Sequence, residues 1–118
     1  MTDLVACLTY GKGSWKEVVK LIRSENWENV YLVTDEFGIK TLKLNDSRIK
    51  FVVINPKQEV CEIRESIFRQ LKDKLKGDVA LNITSGSGKE HMALLAALLR
   101  IGVGIRFIVP GKEGVEEV

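Results

Sequence analysis

The sequence predicts an α/β protein built on a doubly wound, mainly parallel sheet with helices on both faces. Short apolar runs of strand length alternate with segments that have helical periodicity, and this alternation favours parallel strands joined by crossover helices. The chain of 118 residues has the length of one domain. Right-handed crossovers then favour the strand order 3-2-1-4-5, which places the topological switch point between the first and fourth strands.

Buried strands are predicted where short apolar runs end at turn residues. Glycines at 11 and 13 end the first run, and Asn55-Pro56 ends the third. The predicted strands are residues 4–10, 30–33, 49–54, 79–83 and 105–109. Residues 111–118 lack such a pattern, so we expect a single domain of residues 1–110 followed by a loose C-terminal tail.

The first helix is predicted from a capping signal. Ser14 and Glu17 have the spacing of a capping box, in which each side chain satisfies a backbone N–H of the other, and the helix then runs to about Glu25. Between the second and third strands, residues 35–48 predict a short crossover with one or two helical turns.

The second main helix has the clearest periodicity. Apolar residues between Val60 and Leu75 recur at helical spacing, and Gly77 supplies a C-terminal stop. The third main helix is predicted at residues 90–101, where the stretch 92–99 has no polar face. Because a helix that is apolar all round must be buried all round, and the sheet covers one side only, we expect a homodimer with its two-fold axis near the start of this helix.

Composition limits the classes of partner. The chain has 18 basic and 16 acidic residues, a net charge of +2, so a long nucleic acid is not expected as a partner. Cys7 and Cys61 have neither CxxC spacing nor a neighbouring His, and we expect no metal and no cofactor. No apolar stretch approaches the ~20 residues of a membrane span, which predicts a cytoplasmic protein with no membrane partner. Abundant Lys and Glu favour a thermophile.

The segment from Asn82 to Met92 carries the main functional signal, Asn-Ile-Thr-Ser-Gly-Ser-Gly-Lys-Glu-His-Met. Such a turn between a strand and a helix lets backbone N–H groups approach a ligand and aims the positive end of the helix dipole at it. Lys89 is a cation placed against that dipole, a cost of ~0.3–1 kcal/mol that a bound anion would offset. The turn therefore predicts a phosphate site.

A second glycine-containing turn, residues 9–13, follows the first strand. In the predicted strand order both turns lie at the carboxyl ends of strands at the switch point, where ligands bind in open α/β sheets. We therefore expect them to form one crevice. The candidate ligand-binding residues are Tyr10, Gly11, Lys12, Asn82, Thr84, Ser85, Gly86, Ser87 and Gly88.

Two common nucleotide-binding patterns are incomplete here. Gly88-Lys89 is not a P-loop, because Ile83 stands where the first glycine belongs and Glu90 where a Ser or Thr binds Mg²⁺. The dinucleotide pattern fails because His91 stands where a small residue is required for helix–strand packing. Magnesium-dependent nucleotide hydrolysis and hydride transfer are therefore not expected.

The strand-end Asn-Ile-Thr, the small Gly/Ser turn, the Lys, the Met and the apolar helix resemble CARF domains, the CRISPR-associated Rossmann-like modules. The resemblance extends from Leu4 to Val109, and its specific part is residues 82–92. The residues that match the family's Asn-x-Thr-Gly-Gly-Thr-Lys turn in type are Asn82, Thr84, Gly86, Ser87 and Lys89. Ser85 replaces the first glycine, and Gly88 is one residue more than the family turn has before its Lys.

The resemblance implies a homodimer that binds cyclic oligoadenylate, with cyclic tetra-adenylate as the expected ring. Single-domain members include ring nucleases involved in antiviral defence, which cut the ring by attack of a ribose 2′-OH on the adjacent phosphate without a metal. On this implication Lys89 would stabilise phosphate charge, Thr9 or Tyr10 would position the ribose, and His91 would be an acid or base.

Alternatives remain open from the sequence. After ring cleavage, the second hypothesis is a non-catalytic sensor or sink that acts through a partner protein, and the third is a regulator that binds a smaller nucleotide. His91 is also compatible with an ordinary first-turn residue. Tyr10 and Trp15 have ring faces on which adenine stacks, although packing in a core or an interface is the commoner use of such residues.

Overall fold

A computed structural model describes residues 2–9 and 12–118, with the backbone alone at 12–14. The elements in chain order are β1 (Asp3–Cys7), α1 (Lys12–Ser24), β2 (Val30–Thr34), α2 (Glu36–Thr41), β3 (Ile49–Val53), α3 (Val60–Leu71), β4 (Asp78–Asn82), α4 (Gly88–Ile101), β5 (Gly104–Gly111) and β6 (Gly114–Glu117). They form the α/β architecture that the sequence predicts.

The strands form one six-stranded sheet in the order β3-β2-β1-β4-β5-β6. The strands from β1 to β5 are parallel to their neighbours, and Leu4 in β1 lies opposite both Val30 in β2 and Ala80 in β4. The predicted order 3-2-1-4-5 is therefore confirmed, with one antiparallel strand added beyond β5. The chain runs outward in opposite directions from β1 and β4, so the switch point lies between these two strands.

The alternation of side chains along β1 explains why helices cover both faces of the sheet. Val5 and Cys7 belong to the core under α3 and α4, whereas Leu4 and Ala6 belong to the core under α1. All four are fully buried. A strand that is apolar on both faces is typical of the centre of a parallel sheet, where neither face meets water.

Two sequence predictions about this framework are wrong. The helix α1 begins at Lys12, so Ser14 lies inside the helix and is not its N-cap. Residues after 110 do not form a loose tail, since β6 pairs with β5 in a hairpin. Gly114 adopts φ 109°, a left-handed conformation that suits a glycine at the turn, and Val115 packs against the α1 core.

Local capping interactions determine where α2 begins and where α4 ends. The predicted short helical segment is α2, capped by the Asp35 carboxylate, which accepts from the Gly38 N–H at 2.9 Å. Further along the chain, α4 is capped at its C-terminal end by Gly102, whose φ of 89° is the left-handed conformation of a helix C-cap. The Gly102 N–H donates to the Leu98 carbonyl at 3.0 Å.

The apolar helix α4 is only partly covered within one chain. The side chains that face the sheet and α3 are buried; they are Ala93, Leu94, Ala97 and Leu98. On its outer side Met92 is 64% exposed and Leu99 is 70% exposed. The neighbouring α3 thus covers part of what the sequence analysis assigned to a second copy, and the homodimer remains a prediction that rests on this outer face.

Gly102→Ala tests the capping geometry of α4. An added Cβ at Gly102 meets no atom within 4 Å, so the substitution changes only the backbone strain of a left-handed residue. We expect the free energy of unfolding, measured by urea denaturation, to fall by about 1 kcal/mol. The control is Gly88→Ala, which also has open space but an ordinary φ, and should change stability by less than about 0.5 kcal/mol. Equal effects of the two substitutions would contradict the strain argument.

Candidate functional site

The turns after β1 and β4 meet at the switch point, as the strand order predicts. The Ser85 hydroxyl donates to the Thr9 carbonyl at 2.9 Å. Gly86 lies against the same residue, since a Cβ there would lie 2.9 Å from the Thr9 Oγ1. Gly86 also has φ 99°, so this position excludes other residue types by both space and backbone conformation.

Of the first turn, the structure describes only part. Thr9 is 2% exposed and belongs to the crevice. Tyr10 and Gly11 lie outside the described residues, and Lys12 begins α1 with only its backbone described. The predicted ligand contacts of these three residues therefore stay predictions.

A buried carboxylate connects the two turns. Glu90 is 1% exposed, its Oε1 accepts from the Thr9 hydroxyl at 2.8 Å, and its Oε2 accepts from the Ser87 hydroxyl. A buried carboxylate without hydrogen-bond partners is strongly unfavourable, so breaking these two bonds would be costly. They therefore hold the start of α4 against the segment that follows β1. Glu90 lies in the first turn of α4, where the positive end of the helix dipole also stabilises its negative charge.

Glu90 is the site residue that the sequence analysis missed. Ser87 and Glu90 have the Ser-x-x-Glu spacing of a capping box, and this signal marks both the helix start and the carboxylate. In the structure these two side chains bond to each other, and the Ser87 side chain does not cap the helix backbone. Ser87 is the N-cap of α4, but its hydroxyl donates to Glu90 and makes no side-chain bond to the helix backbone.

The start of α4 therefore retains unpaired backbone donors. The first helical bond is from the His91 N–H to the Ser87 carbonyl at 3.0 Å. In the described part of the chain the N–H groups of Gly88, Lys89 and Glu90 have no acceptor. Such N–H groups at the positive end of a helix bind anions readily.

The Cys7 thiol lies in the electrostatic field of this carboxylate. Burial first, and then the negative charge of Glu90, raise the pKa of Cys7 from 9.0 to about 12. Because the folded-state pKa is above the unfolded value, the stability that the neutral thiol contributes is complete below pH 9 and is lost as the pH rises towards 12. Cys7 is accordingly an unreactive core residue at neutral pH.

The His91 ring and the Thr9 hydroxyl both lie close to Gly86, on the side where a Cβ would be. Its Nε2 is 2.8 Å from the Ser85 carbonyl oxygen, and a Cβ on Gly86 would lie 3.1 Å from that nitrogen. Since a carbonyl oxygen only accepts, the Nε2 carries a proton, and the Nδ1 of a neutral ring is then the acceptor. The structure thus brings two of the candidate catalytic residues together around one glycine.

Asn82 and Thr84 shape the turn through each other. Asn82 is 1% exposed, and its Nδ2 donates to the Ile108 carbonyl of β5 at 2.9 Å. Its Oδ1 accepts from the Thr84 hydroxyl at 2.8 Å and from the Thr84 N–H at 3.3 Å. The Asn82 amide therefore positions the turn against the sheet, whereas the Thr84 side chain is exposed at the surface.

Lys89 is turned towards a neighbouring loop. Its Nζ donates to the Pro56 carbonyl, after β3, at 2.8 Å. Lys89 is therefore not without a hydrogen-bond partner, because this carbonyl accepts from the ammonium in place of the bound anion that the sequence analysis expected. A carbonyl carries no net charge, however, and among the described residues Lys89 has no carboxylate partner, so a positive charge remains beside the crevice.

Pro56 also lines a groove of about 750 Å³ over the carboxyl ends of β2 and β3. Phe37 lines the same groove and is 57% exposed. Trp15 is only 9% exposed, and its ring centroid is 6.3 Å from that of Phe37. Trp15 therefore packs in the core, and Phe37, which was not among the candidate stacking residues, presents an accessible ring at this edge of the sheet.

No family model matches the chain, and no curated protein matches its sequence. Within residues 2–9 and 12–118 no three His, Cys, Asp or Glu side chains form a group able to hold a metal ion. The same residues include no helix that is long and apolar enough to cross a membrane.

Glu90→Gln tests the tie between the two turns. The amide replaces one carboxylate oxygen with a donor, so either the Thr9 or the Ser87 hydroxyl loses its acceptor. We expect the free energy of unfolding, measured by urea denaturation at pH 7, to fall by about 1–3 kcal/mol. Glu62→Gln is the matched control, because Glu62 is also the third residue of its helix but is exposed. It should change stability by less than about 0.5 kcal/mol, and equal losses would contradict the account.

Proposed function

We propose that the chain binds a cyclic oligoadenylate, with cyclic tetra-adenylate as the expected ring, in the crevice between the turns after β1 and β4. The observation that carries this proposal is the set of free backbone N–H groups at Gly88, Lys89 and Glu90, beside Thr9 and His91 at the switch point. Phosphate oxygens are the natural acceptors for these groups. The resemblance of residues 82–92 to the CARF turn supplies the identity of the nucleotide.

The hydrogen-bond directions support a nucleotide over a bare phosphate. The Thr9 and Ser87 hydroxyl protons both point to Glu90, so each hydroxyl oxygen offers only lone pairs to a ligand. Those oxygens would accept from a ribose hydroxyl or an adenine amino group. A ligand that fits the whole crevice therefore carries anionic oxygens for the N–H groups and donors for the hydroxyls.

The exposed face of α4 supports a symmetric assembly. Met92 and Leu99 are exposed and Leu95 is half-buried on the side away from the sheet. A two-fold axis beside this face would bury these apolar side chains and bring two copies of the turn together. A ring of repeated nucleotides would then contact the same residues in both copies.

Ring cleavage is the catalytic extension of this proposal, favoured by the closeness of Thr9 and His91. The His91 Nδ1 would take the proton of a ribose 2′-OH, and the 2′-oxygen would form a bond to the adjacent phosphorus as the bond to the 5′-oxygen breaks. The proton then passes to the 5′-oxygen, leaving a cyclic 2′,3′-phosphate and a 5′-hydroxyl. The α4 N–H groups would stabilise the non-bridging oxygens, joined by Lys89 once it leaves Pro56.

The test is incubation with cyclic tetra-adenylate in EDTA, with affinity from calorimetry and products from chromatography. We expect Lys89→Met to weaken affinity by about tenfold or more, as the loss of a charge-assisted hydrogen bond predicts. His91→Gln should keep the affinity within about threefold and abolish cleavage. Lys72→Met, on the exposed end of α3, is the matched control and should change neither quantity.

The outcomes separate the alternatives. Tight binding with no cleavage by the unaltered chain would make it a sensor or sink, and a preference for linear adenylates would make it a regulator that binds a smaller nucleotide. The absence of binding would contradict the proposal altogether.

A further inference from the structure

A second groove, apart from the crevice, lies between α1 and the β5–β6 hairpin. Its volume is about 700 Å³, and its apolar lining comes from Trp15, Val19, Leu42 and Pro110. None of its lining residues belongs to the turns after β1 and β4. The groove therefore has no part in the function proposed above.

The charged residues that line this groove are all basic. Lys16, Lys20 and Arg23 line it from α1, and Lys112 lines it from the hairpin. The lining includes no carboxylate, and within the described part of the chain none of the four cations forms an ion pair. The whole protein has a net charge of only +2, so four cations along one groove are a local concentration of positive charge.

One residue that lines the groove, Trp15, also has an unsatisfied donor. The Trp15 Nε1 is buried and has no hydrogen-bond partner among residues 2–9 and 12–118. An indole N–H can only donate, and buried donors without an acceptor are rare in folded proteins. A ligand that brings an acceptor oxygen to Trp15 would satisfy it. This observation is independent of the basic rim and points to the same groove.

The spacing of the cations distinguishes between kinds of anion. On a helix that rises about 1.5 Å per residue, Lys16 and Lys20 are about 6 Å apart along the axis, and Arg23 is about 4.5 Å further. A single phosphate needs cations that converge on one point. Alternate side chains of an extended peptide are about 6.8 Å apart and follow a line of cations much better.

We propose that this groove binds an acidic peptide segment of a partner protein, with an apolar side chain of the segment against Val19, Leu42 and Pro110. Carboxylates at alternate positions pair with the rim cations, and a backbone carbonyl of the segment accepts from the Trp15 Nε1. Charge complementarity sets the partner's chemistry, and the apolar lining supplies the contact area.

The test uses a fluorescein-labelled dodecapeptide with Glu at alternate positions and a central Leu, measured by fluorescence anisotropy with the full chain. Lys16→Gln with Lys20→Gln should weaken its affinity by about tenfold and flatten the salt dependence. Lys72→Gln with Lys76→Gln removes the same charge from exposed positions elsewhere and should change affinity by less than about twofold. Trp15→Phe keeps an aromatic ring at this position but removes the indole N–H, and should also weaken binding.

Three results would overturn the proposal. One is the absence of binding by the acidic dodecapeptide, and another is equal binding of the same peptide with Gln in place of Glu. The third is tighter binding of a single-stranded oligonucleotide, or of anionic vesicles, with the same loss in the Lys16 and Lys20 variant. That result would assign the groove to a different class of partner.

Discussion

The geometry of the crevice depends on one buried carboxylate. Glu90 accepts from the hydroxyls of Thr9 and Ser87, and those residues belong to the two segments that the switch point brings together. Burial of a carboxylate is favourable only when its oxygens are satisfied, so the interaction fixes both segments. The same bonds occupy Ser87, which would otherwise cap α4, and leave the backbone N–H groups that follow it without an acceptor.

This constraint also sets the chemical character of the crevice. The buried negative charge opposes an anion, whereas the unpaired N–H groups and Lys89 attract one. The balance favours a ligand that places phosphate oxygens at the helix start and hydroxyl or amino donors next to Thr9 and Ser87. A nucleotide carries both kinds of group, and this is the physical basis for proposing one. The groove between α1 and the β5–β6 hairpin differs, because its lining residues include four cations and no carboxylate.

Much of the framework could be predicted from the sequence, because hydrophobic periodicity and chain connectivity determine it. The alternation of Val5 and Cys7 with Leu4 and Ala6 decides which face of the sheet each helix covers, and the strand order then places both turns at one edge. The hairpin of β5 and β6 was missed because its last strand is short, polar and held by pairing with β5, which a local pattern does not reveal.

The site was less predictable, since side-chain hydrogen bonds depend on three-dimensional neighbours. Asn82 and Lys89 match a ligand-binding pattern in sequence, yet their polar atoms bond to Ile108 and Pro56, residues far along the chain. Glu90 entered the sequence analysis only as the residue that breaks the P-loop pattern, although its spacing from Ser87 was a usable capping signal.

The most direct test of the central claim is a nuclear magnetic resonance titration of the ¹⁵N-labelled chain with cyclic tetra-adenylate. The account predicts that the largest downfield amide proton shifts occur at Gly88, Lys89 and Glu90, and that they saturate at one ring per two chains. Shifts confined to other parts of the molecule, or none at all, would contradict it.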